Sequence, residues 1–406
     1  MKSITKILES IIARINVKNK WQAEFLIELF GLLFSIQGRV NYSNLARFSK
    51  YNEVTFRRNF KKSIDWLNFN IALMQIAGLS ISEQMIAVID CSFISKAGKL
   101  TYGLDKFWSG IANRNKKGLE ISLLSLIDIE SEKAWSLDVK QTPPNLSAKE
   151  EEQGKFTRVD FYIAQIKSLL SKLSKVTYFV GDGYYAKKKV FNELRSYHKH
   201  LITKLRPDAN LRYFYKGDHP KGKRGPKTKY DGKVFWKKLD LRRWQSIGID
   251  YKYSHLRIYT LILNSPYFKR DFRIVLLKNM RTNKYVLLAC TDLNLDARTI
   301  VKYYQLRFKI EFLFRDAKQF TGLNHCQARD EAALNFHFNM SLSAINIFQL
   351  AMKKDSTIHS MNSFVRKSYN TRFVNRIFSQ LSSKAEFNIN HPKVIALLNF
   401  GCLKRA

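Results

Sequence analysis

Between residues 86 and 205, short apolar runs and amphipathic stretches follow one another in an order that few folds accept. Residues 86–95 read Ile-Ala-Val-Ile-Asp-Cys-Ser-Phe-Ile-Ser, a buried strand with one carboxylate, Asp90, inside it. Two further strands are expected near 119–129 and 132–140, joined by the tight Glu130-Ser131-Glu132. Residues 160–173 have helical periodicity, and 176–180 form another apolar strand that ends in Gly181-Asp182-Gly183. A helix over 186–197 and a strand over 200–205 complete the run. Three strands in succession, then helices alternating with strands, predict an α/β fold on a mixed sheet that begins with an antiparallel meander.

The flanks differ in character. Residues 1–85 read as a helical domain, with Ile4, Ile7, Leu8, Ile11 and Ile12 at helical spacing. Within it, Val40–Phe48 and Glu53–Lys62 form two short helices about a tight turn, the second carrying Arg57 and Arg58. That shape fits either a helix-turn-helix DNA reader or a plain hairpin with a solvated basic face. Residues 206–295 contain alternating runs and predict a β-rich insertion between the core's first part, 86–205, and its second part, 296–355. Residues 356–406 form a C-terminal helical segment.

Charge narrows the partners. The chain of 406 residues has 70 Lys and Arg against 33 Asp and Glu, a formal net charge of +37. Polyanions are the natural counterpart, nucleic acid first among them; a ribosome-associated or membrane-surface protein is the plainer alternative. From Lys199 to Arg243 there are fifteen basic residues and four Asp. Lys223 and Arg224 lie in the loop Pro220–Lys227, which either lies along a phosphate backbone or is a solvated turn. The same choice holds for the basic run Arg114–Lys117. No apolar run reaches the roughly 18 residues needed to cross a bilayer, and the N-terminus has no signal-peptide pattern. Four scattered cysteines without a Cys-x-x-Cys pair suit a reducing cytoplasm.

The chemistry concentrates on residues 304–318. At about 100° per residue, Tyr304, Arg307, Glu311, Arg315 and Lys318 share one edge of a helix, and Leu306, Ile310, Leu313 and Ala317 lie opposite. Alone, that is a basic surface stripe with ordinary ion pairs. Asp90 and Asp182 change the reading, because an unpaired carboxylate inside an apolar strand is costly. Three acids at the ends of core elements, Asp90, Asp182 and Glu311, suit Mg²⁺ or Mn²⁺, hard ions that bind phosphate oxygens. Arg307 and Lys318 then fit phosphates, and Tyr304 a hydrogen bond to another.

The spacing Tyr304-x-x-Arg307-x-x-x-Glu311-x-x-x-x-x-x-Lys318 resembles the Tyr–Arg–Glu–Lys signature of one large group of bacterial insertion-sequence DDE transposases (the insertion-sequence-four type). Asp90-Cys91-Ser92-Phe93-Ile94 and Val180-Gly181-Asp182-Gly183-Tyr184-Tyr185 resemble the family's surroundings of its two Asp. The resemblance covers roughly residues 86–345. It implies a ribonuclease H-like core, a β-rich insertion before the Glu helix, and Asp90, Asp182 and Glu311 as metal-binding catalytic residues. It further implies cut-and-paste transposition by a homodimer on terminal inverted repeats and target DNA, in a bacterial cytoplasm close to the nucleoid. An insertion-domain tryptophan holds a flipped base in that family; Trp236 and Trp244 are either that residue or core. A nuclease without strand transfer and a non-enzymatic DNA-binding descendant of a transposase are the rival functions.

Overall fold

The computed structural model describes residues 2–14, 19–217, 228–354, 360–380 and 390–399. Five helices come first: α1 (Lys2–Arg14), α2 (Lys20–Leu33), α3 (Tyr42–Arg47), α4 (Glu53–Asn59) and α5 (Trp66–Ile76). Side-chain caps fix where four of them start. Asn19, Asn41, Asn52 and Asp65 each accept a backbone N–H of the first turn.

The sheet then begins with β1 (Met85–Ser95), β2 (Asp105–Ser109), β3 (Arg114–Asp128) and β4 (Ala134–Gln141). Helix α6 (Arg158–Leu169), capped by a reciprocal Thr157–Asp160 box, leads to β5 (Tyr178–Gly181). Helix α7 (Lys188–Ser196) leads to β6 (His200–Leu205). Strand β3 lies antiparallel to β1 and to β4, whereas β1, β5 and β6 run parallel. The order β4-β3-β1-β5-β6 is that of a mixed sheet whose parallel strands are joined by helical crossovers. It is consistent with a ribonuclease H-like core. The sequence pattern misses β2 and starts β3 five residues late. Arg114–Lys117 belong to the exposed β2–β3 hairpin.

The insertion contributes β7 (Arg212–Phe214), β8 (Tyr230–Lys233), β9 (Gln245–Ile249), β10 (Leu256–Ser265), β11 (Arg270–Asn279) and β12 (Tyr285–Cys290). These strands do not form a separate sheet. Strand β12 pairs with β6, so the insertion prolongs the core into one 12-stranded sheet among the described residues. Trp244 is buried, and Trp236 donates to Ala209 O at 2.7 Å while stacking on Tyr285, so both are packing residues here.

Helices α8 (Ala297–Leu306), α9 (Phe308–Phe320) and α10 (Glu331–Lys354) follow, then α11 (Met361–Gln380) and α12 (Pro392–Leu398). Helix α10 is buried on nearly every side, as a helix in the middle of a core must be. Its amides also close the sheet's open edge. Asn346 donates to Ser136 O (2.8 Å) and accepts from Ser136 N (3.0 Å). Gln349 and Asn339 donate to Ala134 O and Val139 O, and Asn70 of α5 donates to Leu137 O. The free edge of β4 thus finds partners on helices instead of on another chain. Asn346 also donates to Asn70, and Phe336 packs on Phe60 and Trp66. The N-terminal helices are therefore built onto the same core.

Candidate active site

Strand register brings the first two acids together. Val88 of β1 pairs with Val180 of β5 in a parallel ladder. Asp90 and Asp182 each lie two residues farther on, so they stand at one level, on one face, on neighbouring strands about 4.8 Å apart. Asp182 follows the end of β5, where its Oδ1 accepts Tyr184 N at 2.9 Å and its carbonyl accepts Thr203 Oγ1 at 2.6 Å. Gly181 is required just before it, since a Cβ there would lie 2.9 Å from the Tyr185 side chain.

Glu311 arrives from the opposite layer, in the first turn of α9. The apolar side of that helix is buried as its periodicity requires, through Ile310, Leu313, Phe314 and Ala317. One expectation needs correction. Tyr304 and Lys318 do not share a single helix: α8 ends at Leu306 and α9 starts at Phe308. Arg307 stands at the junction, in helical dihedrals, and its backbone N–H turns back to Tyr303 and Tyr304. No Gly or Pro marks the break, so the sequence carries no signal of it.

That junction puts the Arg307 guanidinium between two acids. Nη1 lies 3.1 Å from Asp90 Oδ2 and Nη2 lies 2.9 Å from Glu311 Oε1. The Arg307 side chain is 8% exposed, that of Asp90 18%, and that of Glu311 48%. Tyr304 and Phe308 present their rings to the guanidinium, 5.7 and 4.6 Å from centroid to Cζ. Its Nε is buried without an acceptor among the described residues. Burial, then the charge of Asp182, push the Asp90 carboxyl up to about 7; Arg307 pulls it down and Glu311 adds a smaller upward push. Burial works against the charged form of Arg307, but the negative charge of Asp90 first, then of Tyr304, Glu311 and Asp182, holds its pKa above the usual arginine value. Burial raises the Tyr304 hydroxyl. Asp182 and Glu311 thus each act on Asp90 through their charge.

Lys318 reaches the same strand face from two turns farther along α9. Its Nζ donates to Ser92 Oγ at 2.7 Å and to Phe93 O at 3.2 Å, and burial lowers its pKa. Spacing alone points it at phosphate and gives no sign of this tie to β1. Asp90, Asp182, Tyr304, Arg307, Glu311 and Lys318 are thus gathered. Arg57 and Arg58 are apart, on α4, where Arg57 pairs with Glu53 and covers the Tyr42 ring. Lys223 and Arg224 lie outside the described residues.

Behind the site, on the other face of β1, Glu120 is buried and accepts from Tyr162 Oη (2.6 Å) and Thr142 Oγ1 (2.9 Å). Cys91 Sγ lies 3.4 Å from Tyr185 Oη in the same cluster. In the sequence, only the place of Glu120 among the apolar residues of a strand hints at its burial. Asp128 and Asp138 do not join the site: Asp128 caps the β3–β4 turn at Ser131, and Asp138 accepts from Gln165.

The acids supply hard oxygen donors, the chemistry that suits Mg²⁺ or Mn²⁺. Among the described residues, no three His, Cys, Asp or Glu side chains form a group close enough to hold an ion between them. Arg307 instead spans Asp90 and Glu311 with its two terminal nitrogens. The donor types suit a divalent ion, and the charge of Asp182, which adds to burial in raising Asp90, is what such an ion would offset.

Similarity to known proteins leads to the same class. A transposase DDE domain model matches residues 161–347. That match includes Asp182, Tyr304, Arg307, Glu311 and Lys318, and begins after Asp90. With the mixed sheet, it supports a DDE transposase, an enzyme class that acts on DNA and generally uses divalent metals. No curated protein matches the chain. Among the described residues, no helix is long and apolar enough to cross a membrane.

Proposed function

We propose that the protein is an insertion-sequence transposase of the Tyr–Arg–Glu–Lys group, cutting DNA at the element's ends and joining those ends to a target. One observation carries the reading. Asp90 on β1 and Asp182 just past β5 each lie two residues beyond a paired position of adjacent parallel strands, and Glu311 is tied to Asp90 through Arg307.

Asp90, Asp182 and Glu311 are assigned to hold Mg²⁺ or Mn²⁺. When bound, the ion supplies a lowered pKa for an attacking water or 3′-hydroxyl and charge stabilisation at the phosphate. The chain's own groups do the rest. Arg307, planar and forked, fits two oxygens of a phosphate once its carboxylates are otherwise engaged, and its Nε is a further donor. Tyr304 backs the guanidinium and limits its swing. Lys318 fixes α9 to β1 and offers a cation at the edge of the site. Two copies acting on paired inverted repeats, in a bacterial cytoplasm, complete the proposal; the four-residue signature supports this part.

The test uses DNA from the two flanks of the gene. Wild type with Mg²⁺ should cut at the element ends and join them to a plasmid, and EDTA should stop both. Glu311→Gln should bind the same DNA and reduce cutting at least about 10²-fold. Cutting without any joined product would reduce the assignment to a nuclease.

A further inference from the structure

A basic cavity lies apart from the acid site. It has a volume of about 1060 Å³ and lies where the exit of β1, the α9–α10 loop and helices α3 and α4 meet. Five basic side chains line it, Arg39, Arg57, Lys61, Lys96 and Arg329, against one carboxylate, Asp330. Its floor is buried, with Tyr42, Thr101 and Ala328, while Arg39, Arg57, Lys61 and Arg329 stand exposed on its walls.

The walls come from distant parts of the chain, yet they are fastened together. Lys96 donates to Cys326 O, and Tyr102 N donates to Arg329 O at 2.8 Å. Val40 N donates to His325 Nδ1 at 3.2 Å, and Lys61 lies 3.7 Å from Asp330. Gly322, at φ +72°, lets the loop close on the N-terminal segment, since a Cβ there would lie 2.6 Å from Val40 Cβ. The walls of the cavity are therefore joined to one another without a ligand. Burial disfavours the charge of Lys96, and the nearby Arg329 adds a smaller push in the same direction.

The cavity lies at the end of the same strand that carries Asp90. Strand β1 runs from Asp90 to Ser95, and Ser95, Lys96 and Ala97 form one wall. Six residues of strand, at about 3.3 Å each, separate Asp90 from Lys96 by about 20 Å. A duplex covers that in about six base steps. We infer that this groove takes the sugar–phosphate backbone of the same DNA whose phosphate lies at Asp90, about half a turn away. The inference rests on the DNA-cutting reading for its ligand, but its geometry belongs to a second site. It also gives the two short N-terminal helices a role, since Arg57 and Lys61 of the α4 region form one bank of the track and the α9–α10 loop forms the other.

The test measures binding of a mixed-sequence duplex of about 30 base pairs to the full chain in EDTA, by fluorescence anisotropy across a salt series. No cleavage is needed for the readout. In the double variant Arg39→Ala, Arg329→Ala, the slope of log K against log salt should fall by about 2, near 0.9 for each phosphate no longer neutralised. Lys172→Ala with Lys175→Ala removes equal charge from an exposed face elsewhere and should leave the slope unchanged. A wild-type slope in the first double variant, or an equal fall in the second, overturns the inference. Melting temperature and circular dichroism of both doubles check that each is folded; if the Arg39, Arg329 pair fails to fold, Arg39→Gln and Arg329→Gln singly should each lower the slope by about 1, and unchanged slopes overturn it. The outcome separates from the catalytic reading, because Glu311→Gln is scored by cutting and these variants by salt dependence.

Discussion

Replacing Asp90 by Asn should stabilise the protein, and the gain should grow with pH. The Asp90 carboxyl is raised from 3.8 to about 7, by burial first and then by the charge of Asp182. A group whose folded pKa lies above its unfolded value holds its proton more tightly when folded. Its contribution is therefore complete below about pH 4, declines as the pH rises from 4 to 7, and stays at its minimum above 7. Asn mimics the protonated acid and still offers an oxygen to Arg307. At about 1.4 kcal/mol per pKa unit, the variant should exceed wild type by about 2 kcal/mol at pH 5 and about 4 kcal/mol at pH 8. For a chain of 406 residues, 4 kcal/mol corresponds to about 5 °C in melting temperature. Thermal melts by circular dichroism in EDTA at the two pH values measure this. A variant that melts at or below wild type at pH 8, or a difference that does not change with pH, would refute the claim that Asp90 is a buried acid crowded by its neighbours.

Further outcomes follow from other contacts. Mg²⁺ at millimolar concentration should raise the melting temperature of wild type at pH 8 but not that of Asp90→Asn, read in the same melts. Lys318→Met keeps the stem in its packing but removes the bonds to Ser92 and Phe93; it should cost about 1–3 kcal/mol in urea unfolding and also weaken joining. Gly322→Ala forces a Cβ against Val40 at positive φ; a loss of about 1–3 kcal/mol is expected, and unchanged unfolding would show that the α9–α10 loop is not pressed against the N-terminal segment.

The sheet is legible in the sequence because its strands are apolar runs of the right length. The strand expected at 200–205 coincides with β6, and the one at 86–95 matches β1 to a residue. Asp90 and Asp182 stand out for a related reason: one is a lone carboxylate inside such a run, the other follows directly on one. Strand β2 escapes because Asp-Lys-Phe-Trp-Ser has little alternation and one face in water. The place of the Arg307 side chain escapes because nothing local demands it; charge from Asp90, over two hundred residues away, holds it. Hydrogen bonds that join residues 40 and 325, or 96 and 326, have no periodicity to read, so the basic cavity they enclose is invisible as a unit. Charge alone singles out Arg57, without its partners.

The claim at the centre is that the acids hold a divalent ion at a DNA phosphate, and ligand exchange tests it most directly. In Asp182→Cys a thiolate replaces a hard oxygen donor, which Mg²⁺ accepts poorly and Mn²⁺ better. With DNA from the gene's flanks, this variant should fail to cut in Mg²⁺ and regain cutting in Mn²⁺. Cutting in Mg²⁺ as fast as wild type would contradict the account.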